Sequence, residues 1–338
     1  MYDGYKILDV HGHVSVPASS RSYVANLLAS NTAGKSPFGE GGRDPATLEE
    51  YTKTAASHVA YMDERDIDVQ IIGPRPYIMM GQMPAHLLPS WTKYVNGTIK
   101  QQVDMHPTRF LGAAQLPQLS SAEDLSHCLP ELKRCVEELG FVAAYLSPDP
   151  AGVRSTPGMN EPYWYPVYEY CEKNQVPIIV HGTTCLDPRF AVVPQNYQLG
   201  FVMEQYLATQ ILSHSDVFEK FPGLKVIVCH CGGALDRFIP SDAHLAQKDL
   251  SQNLYFDTCA HDVNYLTAAV KQRGVDRLVF GTEAPGSGAA VRQEGEGPGK
   301  TGDDLVPVIS SFDFLTAEDK KTIFNTNPAK VFPQFTKV

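Results

Sequence analysis

The residues best suited to chemistry open the chain, in the string DVHGH at positions 9–13. His11 and His13 are two apart. In a strand, residues i and i+2 face one side, so both imidazoles can turn toward a single cation. Three more ligand-type side chains end apolar runs in the same manner: His181 after VPIIV, His230 after KVIVC, and Glu283 closing RLVFGTE. A single histidine of this kind is more readily a hydrogen-bonded core residue than a ligand. Four separate runs ending alike argue instead for one shared centre.

The residues assign His11, His13, His181 and Glu283 as cation ligands. Imidazole nitrogens with one carboxylate suit Zn²⁺, with Mn²⁺ as the alternative, whereas Mg²⁺ or Ca²⁺ would favour oxygen alone. His230 is read as an acid and base beside the ion, with orientation of a ligand as its other role. Asp9 and Asp236 are candidates to orient an imidazole through its second ring nitrogen. Asp257 and His261 border the seventh apolar run. His261 and His244 are weighed as substrate contacts against a place on a solvated face. Arg75, Arg189 and Arg292 offer paired donors that match carboxylates, so three of them suggest a substrate with more than one carboxylate. Exposed salt bridges are the plainer use of each.

The elements that must carry these residues are short apolar runs separated by helical stretches. Strands are expected at 5–10, 67–72, 110–115, 141–146, 176–180, 224–229, 254–257 and 277–280. Helices are expected at 45–65, 90–105, 122–138, 163–174, 199–213, 234–246, 263–273 and 317–330. Runs such as PIIV and KVIV are apolar on both faces, as parallel strands covered by helices require. Ser121 with Asp124, and Thr316 with Asp319, read as helix N-caps. Eight strands with chemistry at their C-terminal ends favour a distorted (β/α)8 TIM barrel over an open doubly wound sheet. HGHV stands where a dinucleotide fold would place its glycine turn, and there is no phosphate-binding loop. Segments 18–44, 147–164 and 285–304 are expected as loop insertions over the C-terminal face.

The 338 residues suit one domain spanning 1–338, with 43% hydrophobic and 20% charged residues. Acidic residues outnumber Lys and Arg by 38 to 28 without a dense basic run, which excludes nucleic acid as the main partner and leaves a small-molecule carboxylate. The seven scattered cysteines point to reduced thiols, and Cys229 and Cys231, two apart, are expected to point the same way. With neither a leader nor an apolar run of membrane length, the expectation is a cytoplasmic protein without membrane contact. A homo-oligomer is expected, with Tyr163, Trp164 and Tyr168 packing a subunit interface or the barrel exterior.

The motifs DVHGH, IIVHGT, FPGLKVIVCHCGG and LVFGTE together resemble the amidohydrolase superfamily, in its decarboxylase and hydratase branch, over nearly the whole chain. The resemblance implies a divalent metal on His11, His13, His181 and the position of Glu283, with His230 catalytic. It departs in two places: Cys231 intervenes before the paired glycines, and glutamate stands where decarboxylases carry aspartate. The latter context resembles the 4-oxalomesaconate hydratase family. That implies Glu283 as proton acceptor, a functional histidine at His244, and hydration of an unsaturated oxo-polycarboxylate in aromatic acid catabolism. Non-oxidative decarboxylation of an aromatic or muconate-type acid is the alternative.

Overall fold

A computed structural model describes residues 2–20, 46–183, 185–192, 196–237 and 248–338. Seven strands form one parallel sheet in the order of the sequence: β1 Leu8–His13, β2 Val69–Gly73, β3 Phe110–Gln115, β4 Ala143–Leu146, β5 Ile178–Val180, β6 Val226–Val228 and β7 Leu254–Phe256. The principal helices between them are α1 Leu48–Asp63, α2 Leu88–Met105, α3 Tyr165–Asn174, α4 Asn196–His214 and α5 Val263–Arg273. Two apolar layers follow from strand alternation. Ile179 and Ile227 join Leu8, Val69, Ala143 and Tyr255 inside the curled sheet. Ile178, Val180, Val226 and Val228 face outward under the helices with Phe110 and Trp164.

The expected eighth strand is present as an extended segment rather than a regular ladder. Val279 N–H donates to Phe256 O, and Val10 N–H to Phe280 O, so the segment bridges β7 and β1 and completes a distorted barrel. Its other amides go elsewhere: Phe280 N–H to Ile323 O, Gly281 N–H to Thr258 Oγ1 and Thr282 N–H to Asp9 Oδ1. Side chains have taken bonds that a ladder would have used.

Local chemistry explains the other departures. Thr316 and Asp319 form the expected capping box, and Thr47 with Glu50 forms another. Ser121 does not cap. Asp124 accepts from Ser126 N–H, and the helix expected at 122–138 divides into a 3₁₀ turn, an α turn and a π turn. Residues 234–237 are not helical, and the rest of the helix expected there, with His244, lies outside the described residues, as does most of the 18–44 insertion. The glycine-rich 285–304 segment is anchored by polar contacts, Asp303 accepting from Arg65 Nε and Tyr61 OH. Tyr163, Trp164 and Tyr168 are buried in this chain's own core, so they face no subunit interface. All seven cysteines are buried and free. Among the described residues no helix is long and apolar enough to cross a membrane.

Candidate metal centre

Each ligand-type side chain reaches the centre by a different backbone device. In β1 a register shift between Asp9 and Gly12 resets the alternation, so His11 and His13 turn together into the barrel after the inward Val10. His181 follows β5 in simple alternation from inward Ile179. His230 would face outward by the same count. Instead His230, Cys231, Gly232 and Gly233 all adopt positive φ, which re-aims the imidazole inward. Cys229 follows Ile227 into the inner layer by alternation, whereas the turn sends Cys231 to the outer one, contrary to the expected shared direction. A side chain at Gly233 would meet Val202 O at 2.2 Å, so α4 can pack against this turn only if glycine stands there. Glu283 also sits in the left-handed region, at φ 62°, with its N–H on His11 O. Such a conformation costs roughly 1–2 kcal/mol in a non-glycine residue.

The side chains converge. One ligand atom from each of His11, His181, His230 and Glu283 lies within 4.8 Å of every other, and Glu283 Oε1 stands 3.3 Å from His13 Nε2. Three rings are oriented from behind: His11 Nδ1 lies 2.6 Å from Asp257 Oδ2, His13 Nδ1 2.9 Å from Pro74 O, and His181 Nδ1 2.6 Å from Gly182 O. With a proton on each Nδ1, the Nε2 lone pairs face the centre. His11 Nε2 is buried without a hydrogen-bond partner among the described residues, and His181 and His230 bring their Nε2 atoms within 3.1 Å of each other. Buried lone pairs facing one another with no proton donor between them are what a cation would satisfy.

Electrostatics favour the same occupant. Burial pushes His13 down to about 4 and, with the neighbouring imidazoles, holds His181 well below the usual range. Both imidazoles are therefore neutral at neutral pH. Burial also disfavours charge on His11, yet Cys229 and the Asp257 carboxylate outweigh it and raise its pKa well above 6.5. For Glu283, burial favours the neutral acid, but the imidazoles of His13, His230 and His11 around it prevail and hold its carboxyl well below the usual carboxylate range.

Residues 8–334 match the family described as amidohydrolase. The chain belongs to the amidohydrolase family. This amidohydrolase is 30% identical over 346 residues to a 2-keto-4-carboxy-3-hexenedioate hydratase of Sphingobium sp. (strain NBRC 103272 / SYK-6), covering 97% of this chain and 96% of the relative. Its fold superposes on the crystal structure of 4-oxalomesaconate hydratase from Rhodopseudomonas palustris with a TM-score of 0.83 and 25% identity, over 98% and 97% of the two chains. A dihydroxybenzoic acid decarboxylase from Polaromonas sp. JS666, solved with bound manganese and 2-nitroresorcinol, shares the fold at a TM-score of 0.67 and 19% identity, over 97% of each chain.

The remaining expected residues fall in different places. Arg75, with His13, Glu283, Ser287 and Phe201, lines a cavity of about 360 Å³ that opens onto the centre. Its Nε donates to Val14 O and its Nη2 to Pro285 O. Arg292 donates to the backbone oxygens of His261 and Gly302, and its buried Nε has no partner among the described residues. Arg189 is exposed and paired with Asp187. His261 borders the centre, grouped with Cys259 and Glu283.

Among the described residues, neither Asp9 nor Asp236 touches an imidazole. Asp9 accepts from His11 N–H, Gln70 and Thr282, and Asp236 from Tyr206, Gln210 and Arg273. The orienting carboxylate is Asp257, whose Oδ1 also accepts from Cys231 N–H and Cys259 N–H. One side chain thus ties β1, the His230 turn and the end of β7 together. Its sequence signal was its place directly after LYF, the same strand-end position as the ligands.

Proposed function

We infer that this amidohydrolase is a hydro-lyase, a cytoplasmic homo-oligomer built of one domain per chain, which adds water to an unsaturated oxo-polycarboxylate of the 4-oxalomesaconate type. The observation that carries this reading is Glu283, a carboxylate that converges with four imidazoles, in a chain 30% identical to a hydratase along its length. Zn²⁺ is the proposed cation and Mn²⁺ the alternative, held by His11, His13, His181 and Glu283. When bound, it supplies Lewis acidity that stabilises negative charge developing on oxygen.

The chain's own residues divide the proton work. Glu283, its Oε2 bonded to Ser287 Oγ, accepts a proton from the attacking water. Burial lowers the proton affinity of His230, so at neutral pH its ring starts with one vacant nitrogen. It receives the proton from Glu283, within 4.8 Å, and delivers it to the carbon next to the keto group. Water's hydroxyl has meanwhile bonded to the other alkene carbon, and the addition balances without an outside acid. His244 is the alternative donor. Arg75 pairs with a substrate carboxylate from the cavity wall, with Arg292 as a further carboxylate ligand, while Arg189 stays on Asp187.

Incubation of metal-loaded protein with 4-oxalomesaconate tests the reading. Loss of the conjugated chromophore with gain of one water is the expected result. Carbon dioxide released from this acid or from a dihydroxybenzoate would favour a carboxy-lyase instead, and no change in either would overturn the assignment.

A further inference from the structure

A set of buried polar residues that the reaction does not use converges on the backbone beside Glu283. Its polarity is fixed at one end by a main-chain donor. Ser15 N–H can only donate, and it lies 2.8 Å from Gln102 Oε1. The Gln102 amide nitrogen must therefore be the atom 2.8 Å from His58 Nδ1. That nitrogen accepts, so the proton of His58 sits on Nε2 and is given to Gln70 Oε1 at 2.9 Å. Gln70 Nε2 then spends its two protons on Asp9 Oδ2 at 2.8 Å and Ala284 O at 2.7 Å.

Both flanks of Glu283 hang on this chain of bonds. Ala284 is held directly. Thr282 donates its hydroxyl to the same Asp9 oxygen at 2.6 Å, and Ala284 N–H donates to that hydroxyl at 3.0 Å. Glu283 between them has a left-handed backbone that needs outside support. Space has been made for the amide as well: a Cβ at Gly12 would stand 2.2 Å from Gln70 Cδ. The glycine of HGH therefore separates two ligands and admits the group that secures a third.

We propose that Gln70, oriented by His58, is a positioning residue that sets where the Glu283 carboxylate stands in the metal centre. The proposal rests on the assignment of Glu283 above and adds what holds it there. His58 and Gln70 touch neither the cavity nor the converging Nε2 atoms. Their effect is transmitted through backbone, as partners behind a ligand transmit theirs.

The test loads the metal-stripped full chain with Co²⁺ and reads its visible d–d bands, which report ligand placement without any substrate. Gln70→Met and His58→Leu should retain the wild-type cobalt stoichiometry, shift the bands toward those of Glu283→Gln, and lower kcat by ~10–100-fold with a much smaller change in KM. His58→Gln, which can still donate to Gln70, should keep the wild-type bands and most of the activity. Wild-type bands in both Gln70→Met and His58→Leu would overturn the proposal. Cobalt and cooperative folding lost together in His58→Leu would also overturn it, by showing a merely structural role. Should Gln70→Met alone fail to fold, the bands of His58→Leu decide. Bands that shift as expected in a protein that hydrates no unsaturated acid would sustain the positioning role while the hydratase reading falls.

Discussion

The imidazoles and the arginines of this molecule were expected around one centre, and they are held in opposite ways. His11, His13 and His181 stand at strand ends, and each has its outer nitrogen committed to a fixed oxygen, leaving the inner one directed at the others. Arg75 and Arg292 stand on loops and Arg189 on a short 3₁₀ turn within one, and their guanidinium protons go to whatever acceptor is near: Val14 O and Pro285 O, His261 O and Gly302 O, or Asp187. A strand end delivers direction because the sheet fixes both neighbours. A loop delivers charge, and local acceptors decide where it points.

The largest break in this contrast should come from His181. Its ring lies 5.0–5.2 Å, centre to centre, from those of His11, His13 and His230, so its removal opens the middle of the group. His181→Ala is expected to lose both the bound cation and turnover, as read by metal analysis of gently purified protein. Unchanged stoichiometry would sink the ligand assignment.

Asp257→Asn strikes the same side from behind and should rank next. Asparagine keeps one oxygen for Cys231 N–H and Cys259 N–H, so the His230 turn survives. Its amide can only donate to His11 Nδ1, which forces the ring proton onto Nε2 and takes away the lone pair facing the ion. Metal affinity should fall ~10–100-fold. The sign of the pH dependence follows from the raised pKa of His11. In the wild type a proton competes for Nε2 at and below neutral pH, so affinity climbs with pH up to that raised value and then levels. The deficit of the variant therefore narrows on acidification. A chelator-competition titration giving parallel curves would remove Asp257 from this role.

The sequence was most readable where strand periodicity carries the message. The inward alternation that places Ile179 inside the barrel also places His181, and the apolar runs of β5 and β6 announce strands covered on both faces. Parity failed at His230, because four consecutive left-handed residues reverse the direction that simple counting assigns, and paired glycines reveal only half of that turn. The bulge in β1 left no mark in the letters, yet without it His11 would face away. Asp257 was noticed but given no role, because its partner is 246 residues distant and nothing local requires it. His58 and Gln70 were not singled out in the sequence at all. A histidine on a helix otherwise rich in polar residues reads as solvent-facing until the fold lays Gln70 and Gln102 against it. The eighth strand was foreseen as an element, but not as one whose amides are diverted to Ile323, Thr258 and Asp9.

The arginine side yields the smallest effects, and its internal ranking is the sharpest check on the contrast. Arg75 lines the cavity beside His13 and Glu283, where a substrate carboxylate can exchange for its backbone acceptors. A hydrogen bond to a charged group contributes about 1.5–3 kcal/mol, so Arg75→Met should raise KM by ~10–100-fold while metal content stays normal. Arg292, tied to the carbonyls of His261 and Gly302, should show a smaller rise. Arg189 has 73% of its side chain exposed and already commits the Nε and Nη2 edge of its guanidinium to Asp187, itself only 12% exposed. Water and salt screen such a pair, and a substrate carboxylate would have to displace a partner two residues away in sequence. Arg189→Ala should accordingly leave KM, kcat and metal content at wild-type values. A rise in KM for Arg189→Ala equal to that for Arg75→Met would mean that the loop swings its charge into the cavity when substrate arrives, and the distinction between directed strand ends and undirected loops would fail on the substrate side of the site.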